Sequence, residues 1–221
     1  MTTQGDNPGE TVSERGNLKR RNTYAVVRMD LSRVANHTPR EITDELRDAA
    51  VLIPVVEGRG GPGLLFTKRS DHLEEHPGQM SFPGGGQEPE DDGLRGTALR
   101  EGNEEIGLRA GEVEIVGQLD DIRTITEYAV TPFVGRIPDR DYDLNDDEVA
   151  EIIVLPLEGL MDPDNYEFEC RDHPHYDEVT IHYFHVDGYT VWGATGRILV
   201  QFLEVTAEWI VPPARPDGGG G

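Results

Sequence analysis

The stretch that decides the fold runs from Gly84 to Leu108 and reads GGGQEPEDDGLRGTALREGNEEIGL. Apolar and small residues recur in it at intervals of three and four, and Gly107 is a residue type that ends helices. The sequence therefore predicts a helix from Asp92 to Ile106. The glycine run that precedes the helix allows the backbone to approach a ligand or a metal ion closely.

Three glutamates of this helix share one surface, because Glu101 lies three residues before Glu104 and four before Glu105. Like charges at these positions repel one another, and a divalent cation would offset the repulsion. Hard oxygen ligands suit Mg²⁺ or Mn²⁺. Arg100 precedes Glu104 by four residues, so its planar guanidinium can hold a carboxylate in a fixed orientation. The alternative interpretation is a solvated acidic helix, which is common in an acidic protein.

The spacing of eight residues in this stretch resembles the Nudix box of hydrolases that cleave nucleoside diphosphates linked to another group. The matching residues are Gly86, Asp92, Arg100, Glu101, Glu104, Glu105, Gly107 and Leu108. Asp92 stands where the family has its first glutamate, and Gly102 replaces a larger residue. Because the glycine run shifts the start of the box by one residue, Asp91 is the alternative to Asp92.

The resemblance implies an α/β fold, the Nudix α/β/α sandwich with a mixed β-sheet between helices. It also implies Mg²⁺ or Mn²⁺ as the cofactor, bound by Glu101, Glu104, Glu105 and Asp92. Arg100 and the three glutamates would be the catalytic residues, with Arg100 orienting the carboxylates.

A second motif is similar to the segment that precedes the box in the coenzyme A diphosphatase branch of this family. It comprises Leu64 to Ser70 (LLFTKRS), Leu73, Gly78 and the tetrapeptide Phe82-Pro83-Gly84-Gly85. The likeness implies hydrolysis of the diphosphate of coenzyme A or a derivative, giving 3′,5′-ADP and 4′-phosphopantetheine. The substrate-binding residues that it implies are Lys68, Arg69, Ser70, Gly84 and Gly85.

The substrate has alternatives, because Glu74 stands where the coenzyme A branch has an arginine. Another nucleoside diphosphate derivative, such as ADP-ribose, or a nucleoside triphosphate would use the same metal-binding helix. A Nudix-like binding protein without turnover is the third interpretation, but such a module has no reason to keep three repelling carboxylates.

The charge balance excludes several classes of partner. The chain has 43 acidic and 20 basic residues and a net charge of −23. Such a field repels nucleic acid and anionic membranes, so we expect a small-molecule substrate. Distributed acidity with only two lysines, Lys19 and Lys68, is typical of proteins from salt-loving organisms, and an ordinary acidic protein is the alternative.

The chain is expected to be cytoplasmic. Its apolar runs, such as Ala50 to Ile53, are far too short to cross a bilayer, and residues 1–16 lack the pattern of a secretory signal. The lone Cys170 cannot form an internal disulfide. The sequence leaves a homodimer open.

Composition divides the chain into a flexible extension (1–22), one domain (23–211) and a flexible Pro/Gly-rich tail (212–221). The resemblance implies that the domain is a Nudix hydrolase domain. One or two short helices are predicted near Asp30 and after Thr38, and an amphipathic helix is predicted around residues 198–210. The predicted strands are 50–56, 64–68, 113–119, 123–126, 130–137, 150–155, 166–169 and 179–186.

Several polar groups outside the box are candidate ligands. His182 and His185 point to opposite faces of a predicted strand, and His173 and His175 lie in a predicted loop, so a histidine metal site is not favoured. The acidic residues Asp146, Asp147, Glu148 and Glu151 read as a solvated loop and strand edge. The alternative is that Glu148 or Glu151 supplies a further metal ligand or a general base.

Overall fold

The computed structural model describes residues 29–58, 60–70, 72, 77–173 and 176–213, without the side chains of residues 173 and 176–178. The predicted extension (1–22), most of the predicted tail, and the residues Leu73, Glu74 and His175 lie outside the described residues. The boundaries at 22 and 211 therefore stay predictions. Among the described residues, no helix combines the length and the apolar character needed to cross a lipid bilayer.

A mixed β-sheet forms the middle layer. Strand β1 (Arg47–Gly58) runs parallel to β7 (Tyr128–Ile137) and antiparallel to β2 (Gly61–Arg69). The other strands of this sheet are β3 (Met80–Ser81), β4 (Gly84–Gly86), β5 (Glu114–Gln118), β6 (Ile122–Arg123) and β8 (Val149–Pro156). Residues 52–56 of β1 are all buried, which is the pattern of a strand covered on both faces.

The sheet splits between β1 and β2. These strands pair only from Val55↔Leu64 to the turn at Gly58↔Gly61. Beyond that point β4 pairs with β1 and β3 pairs with β2, so the segment 80–86 fills the gap between the two strands. The amide of Leu52 donates to the carbonyl of Pro83 at 2.8 Å, which continues the hydrogen bonding across the split.

One face of the sheet is covered by α2 (Gly93–Ile106), whose Ala98 and Ile106 pack on Leu52 and Leu65. The helices on the other face are α1 (Ser32–Ala35), α3 (Leu157–Met161) and α4 (Gly193–Ala207). A second antiparallel sheet lies with them, made of β9 (Tyr166–His173), β10 (Tyr176–Val186) and β11 (Tyr189–Trp192). Helices on both sides of a mixed sheet confirm the predicted α/β/α sandwich.

Of the one or two short helices predicted before the sheet, the one near Asp30 forms, and one predicted strand ends early. The second short helix, after Thr38, does not form, because this segment runs along the loop after Leu119 and the amide of Ile42 donates to Asp121 at 2.9 Å. The strand predicted over residues 123–126 ends at Arg123, since Thr124 and Tyr128 close a turn with Glu127 at a φ of 62°. The predicted C-terminal helix forms but ends at Ala207, before Trp209 and Ile210.

Candidate active site

The three glutamates of α2 have different surroundings. Glu105 is 5% exposed and lies under the split of the sheet, where its Oε2 accepts a hydrogen bond from Thr67 Oγ1 at 3.2 Å. Its Oε1 lies 3.5 Å from the amide nitrogen of Gly84, a long contact. The side chain of Glu101 is 13% exposed, whereas that of Glu104 is 52% exposed. The shared helix face therefore runs from a buried carboxylate to a solvated one.

Arg100 ties the helix to the loop that precedes it. Its Nη1 lies 2.8 Å from Glu104 Oε2 and 3.0 Å from Glu101 Oε1. Its Nη2 donates to the carbonyl of Gly86 at 3.0 Å, and its Nε donates to Asp91 Oδ1 at 2.9 Å. The guanidinium thus holds two box carboxylates, which is the orienting role that the sequence predicts.

Asp91, rather than Asp92, is integrated into the box. Hydrogen bonds from Arg100 lower the pKa of Asp91 to about 2, and its oxygens also accept from the amide of Glu88 and the hydroxyl of Thr97. With its oxygens already engaged, Asp91 is built to position Arg100.

Asp92, the predicted fourth metal ligand, is exposed at the N-cap position of α2. It lines a groove with Arg95 and Asn103 on a different flank of the helix from Glu101 and Glu105. The structure therefore does not bring Asp92 together with the glutamates, because the helix begins one residue after it and turns its side chain away.

The electrostatics of the two buried glutamates favour a bound cation. Burial raises the pKa of Glu105 to about 8 and also raises the pKa of Glu101. The negative charge of Glu148 adds to both increases. Glu105 makes no ion pair within the described part of the chain, so the protein itself offers this carboxylate no compensating charge.

A divalent metal ion fits this donor set in its chemistry. In the described ranges, no three acidic, histidine or cysteine side chains lie close enough together to hold a metal ion in their present positions. Arg100 contacts the Glu104 carboxylate and one oxygen of Glu101. The absence of a side chain at Gly85 leaves room for the Glu101 carboxylate, because a Cβ at this position would overlap that carboxylate. Glu101 and Glu105, with Glu104 beside them on the helix, carry the carboxylate oxygens that a divalent cation prefers.

The predicted substrate-binding residues are distributed around this site. Gly84 and Gly85 form β4 beside Glu105 and Glu101; a Cβ on Gly84 would overlap the carbonyl of Ala50. Ser70 is buried, and its amide donates to the carbonyl of Glu148 at 2.9 Å, so it holds the loop that carries Glu148.

Lys68 and Arg69 lie on opposite faces of β2. Side chains alternate along β2, and Thr67 points to Glu105, so Arg69 lies on the face of α2 and Lys68 on the opposite face. The structure thus brings only one of these two predicted cations to the face of the sheet that carries the glutamates.

Thr67 and the 145–148 loop are functional features that the sequence analysis missed or left open. Thr67 donates to Glu105 across 38 positions in the chain, and its place next to Lys68 in the quoted motif is the only sequence signal for it. The amide of Asn145 donates to the carbonyl of Glu105 at 2.9 Å, which brings the loop to the helix. Glu151 instead accepts a hydrogen bond from the Tyr189 hydroxyl at 2.6 Å.

The histidines take structural partners, as the sequence analysis favours. His182 Nδ1 lies 2.7 Å from the Tyr166 hydroxyl, and His185 Nε2 lies 3.0 Å from Glu167. Their side chains stand on opposite faces of β10, so the two imidazoles cannot share a metal ion.

Comparison with known proteins identifies the class of this fold and site. The family model described as "NUDIX domain" matches residues 46–176. The chain is 40% identical over 175 residues to an "Uncharacterized Nudix hydrolase NudL" of Enterobacter sp. (strain 638), covering 76% of this chain and 88% of the relative. A NudL of Escherichia fergusonii is 40% identical over 157 residues, covering 69% of this chain and 79% of the relative.

Among solved structures, a MutT/nudix family protein from Enterococcus faecalis aligns with a TM-score of 0.47 at 13% identity, covering 76% of this chain and 64% of that one. The family model and the NudL relatives place the chain in the Nudix family. It is a hydrolase of diphosphate bonds in nucleoside diphosphate derivatives, and enzymes of this family generally use a divalent cation such as Mg²⁺ or Mn²⁺.

Proposed function

We propose that this Nudix hydrolase cleaves the diphosphate of coenzyme A or a derivative, releasing 3′,5′-ADP and 4′-phosphopantetheine or its acylated form. The observation that carries this proposal is the position of the motif that resembles the coenzyme A branch. Residues 64–70 cover most of β2 and the residue after it, and residues 82–85 lead into β4. Both segments lie along the split of the sheet, beside Glu105 and Glu101. The residues that select the substrate and the glutamates that bind the metal would therefore lie along the same split of the sheet.

Glu101, Glu104 and Glu105 would hold Mg²⁺ or Mn²⁺. When bound, such an ion would neutralise diphosphate oxygens and would lower the pKa of the attacking water. Arg100 keeps Glu101 and Glu104 in position, and Asp91 fixes Arg100 in turn. Thr67 orients the carboxylate of Glu105, so that one oxygen is directed away from the hydroxyl.

A proton must leave the attacking water, and Glu148 is the candidate outside the box that the structure favours. Its charge reaches both Glu101 and Glu105, whereas Glu151 is engaged by Tyr189. We assign Glu148 as general base or as a further metal ligand, alongside the box glutamates. Glu148→Gln should lower kcat at least about 10-fold with little change in KM. An equal rate for the variant would leave proton removal to a box glutamate.

A substrate panel tests the assignment. The full chain is incubated with coenzyme A, dephospho-coenzyme A, ADP-ribose and nucleoside triphosphates, each with Mg²⁺ or Mn²⁺, and the products are separated by mass. We expect the highest kcat/KM for coenzyme A. A preference for ADP-ribose would contradict the coenzyme A assignment, and binding without turnover of any substrate would favour a non-catalytic module.

Arg69 is the candidate residue for substrate recognition, and its neighbour Lys68 provides the control variant. Coenzyme A carries a 3′-phosphate that ADP-ribose lacks, and a chain this acidic needs a positive partner for it. Arg69→Ala should narrow the preference for coenzyme A over ADP-ribose by about 1 to 3 kcal/mol, the size of a charge-assisted hydrogen bond. Lys68→Ala, on the opposite face of β2, should leave the preference unchanged. Equal losses on both substrates in Arg69→Ala would mean that Arg69 serves the shared diphosphate or the fold.

A cytoplasmic enzyme that acts on a small molecule, without nucleic acid or membrane as a partner, is consistent with the net charge of −23. Size-exclusion chromatography coupled to light scattering would decide between a monomer and a homodimer.

A further inference from the structure

A second pocket lies away from the active site, between the end of β6, strand β10 and helix α4. It has a volume of about 470 Å³, which is in the usual range for small-molecule sites. Across the sheet, Gly86 pairs with Ala49, Ala49 with Val130, and Val130 with Ile122. Three strand spacings, about 14 Å, therefore separate the glycine of the box from the strand that borders this pocket.

The packing of α4 fixes the geometry of the pocket. Gly196 leaves no room for a side chain, because a Cβ there would lie 2.6 Å from the carbonyl oxygen of His182. One turn further along α4, the Gln201 amide accepts from the Asp120 amide at 2.7 Å and donates to the Asp120 carbonyl at 3.2 Å. The helix is thus held against both β10 and the start of β6, and Arg197 between these contacts lines the pocket.

The charge of this pocket is opposite to that of the protein. Arg123 and Arg197 both line it, and none of its described lining residues carries a carboxylate, although the chain has 43 acidic residues. Arg123 Nη1 binds Asp44 at 2.9 Å outside the pocket lining. Arg197 makes no ion pair within the described residues, and its pKa is lowered by burial without any contribution from an acid. An arginine kept clear of carboxylates in this chain favours an external anion.

Neutral donors and apolar groups complete the lining. Burial and the neighbouring Arg197 lower the pKa of His182, so this imidazole is neutral at pH 7. When the Tyr166 hydroxyl donates to Nδ1, the Nε2 of His182 carries the proton and can donate to a ligand. Val179 and Ile125 add apolar surface, and Ile125 is 73% exposed at the pocket mouth. An exposed isoleucine beside two arginines suits a ligand with an anionic end and an apolar ring.

We propose that this pocket is a second ligand site, separate from the hydrolytic centre, which binds a nucleoside monophosphate. The phosphate lies between Arg197 and Arg123 with a hydrogen bond from His182, and the base contacts Ile125 and Val179. The site needs no metal ion, because its cationic charge comes from the arginines.

Calorimetry with AMP as the probe tests the site, using the full chain in EDTA so that the box glutamates cannot bind phosphate through a metal ion. We expect one AMP per chain with a Kd below about 1 mM, and at least about 10-fold weaker binding of adenosine or inorganic phosphate alone. Because hydrolysis is absent in EDTA, the result does not depend on the proposed coenzyme A activity.

Two variants and one control locate the binding. Arg197→Gln should weaken AMP binding at least about 10-fold, and Ile125→Asp, at an exposed position that the fold does not need, should do the same by placing a negative charge at the mouth. Arg95→Gln removes an arginine of α2 that makes no ion pair with a described residue, and should bind AMP like the parent. Unchanged binding in Arg197→Gln and Ile125→Asp, equal losses in Arg95→Gln, or no AMP binding by the parent would each overturn the proposal.

Discussion

Two carboxylates, Glu105 and Asp120, are buried to almost the same degree, at 5% and 7% exposure, yet their surroundings differ. Burial would raise the pKa of Asp120, but hydrogen bonds from the amide and side chain of Arg40 and from His37 outweigh it, so the pKa is lowered. Glu105 has one hydroxyl and one distant amide, and burial raises its pKa. Burial alone therefore does not distinguish a structural acid from a functional one.

The difference lies in whether the protein supplies the compensating charge. Asp120 lies 2.6 Å from the guanidinium of Arg40 and joins the segment before β1 to the loop after β5. No described basic side chain forms an ion pair with Glu105. An acid whose charge the fold does not compensate is available for an external cation.

Replacing box glutamates should have the largest effect. Glu104→Gln and Glu105→Gln should each lower turnover at least about 100-fold, since metal-assisted charge stabilisation is lost. The two should differ in stability without metal. Burial raises the pKa of Glu105 to about 8, so without metal this side chain is mostly neutral at pH 7, and Glu105→Gln should not lower the melting temperature in EDTA. Glu104, in contrast, is solvated and paired with Arg100. Near-normal turnover of a folded variant would remove that residue from the metal site.

Gly85→Ala should reduce kcat/KM by about 10- to 100-fold, because the new methyl group displaces the Glu101 carboxylate from its place beside β4. Gly96→Ala is the matched control in the same motif, since its Cβ would meet its nearest neighbour, Asp92 Cβ, at 3.5 Å and would favour the helix. Steady-state kinetics on both variants check this. Similar activity of the two variants would show that Glu101 does not need its present position.

Asp120→Asn should cost about 2 kcal/mol of unfolding free energy at pH 7 and leave kcat unchanged, because hydrogen bonds to a charged acceptor are weakened. The folded-state pKa of Asp120 is lowered, so its contribution is complete above the unfolded value of about 3.9 and is lost as the pH falls below it. Urea unfolding should therefore show a constant gap between parent and variant from pH 7 to 5 that closes towards pH 3. Glu90→Gln, at an exposed residue, is the control and should show no gap.

Salt should have the smallest effect, spread over the whole molecule. If the charge of −23 reflects adaptation to high salt, the melting temperature should rise by several degrees from about 0.1 M to several molar KCl, since the Debye length falls from roughly 10 Å to below 3 Å. A flat melting temperature would indicate an ordinary acidic protein.

The sequence predicts those parts of the site that depend on local spacing. The helix of the box, its three glutamates and the role of Arg100 follow from intervals of three and four residues, and the structure has them. The unequal burial of the glutamates could not be predicted, because it depends on Thr67, which reaches Glu105 from 38 positions away. Strands of two and three residues, such as β3 and β4, are too short to show any periodicity.

The choice between Asp91 and Asp92 illustrates the same limit. Both aspartates fit the spacing of the box, and only the path of the Arg100 side chain, back across the start of the helix, distinguishes them. Lys68 and Arg69 are likewise adjacent in sequence, but their side chains lie on opposite faces of the sheet. Neighbouring side chains point to opposite faces of a strand and in different directions at a helix start, so the folded chain decides which of them reaches the site.

The insertion of residues 80–86 between β1 and β2 also determines how the active site can fluctuate. The amide of Leu52 bonds to the carbonyl of Pro83, so the glycine segment cannot swing open without breaking the ladder of a central strand. Amide hydrogen exchange at Leu52 should therefore be as slow as along the β1–β7 ladder and should follow global unfolding. The segment 80–86, held in this way, behaves as a rigid part of the active site. Rearrangements during turnover must therefore come from the substrate or from the loops around the site.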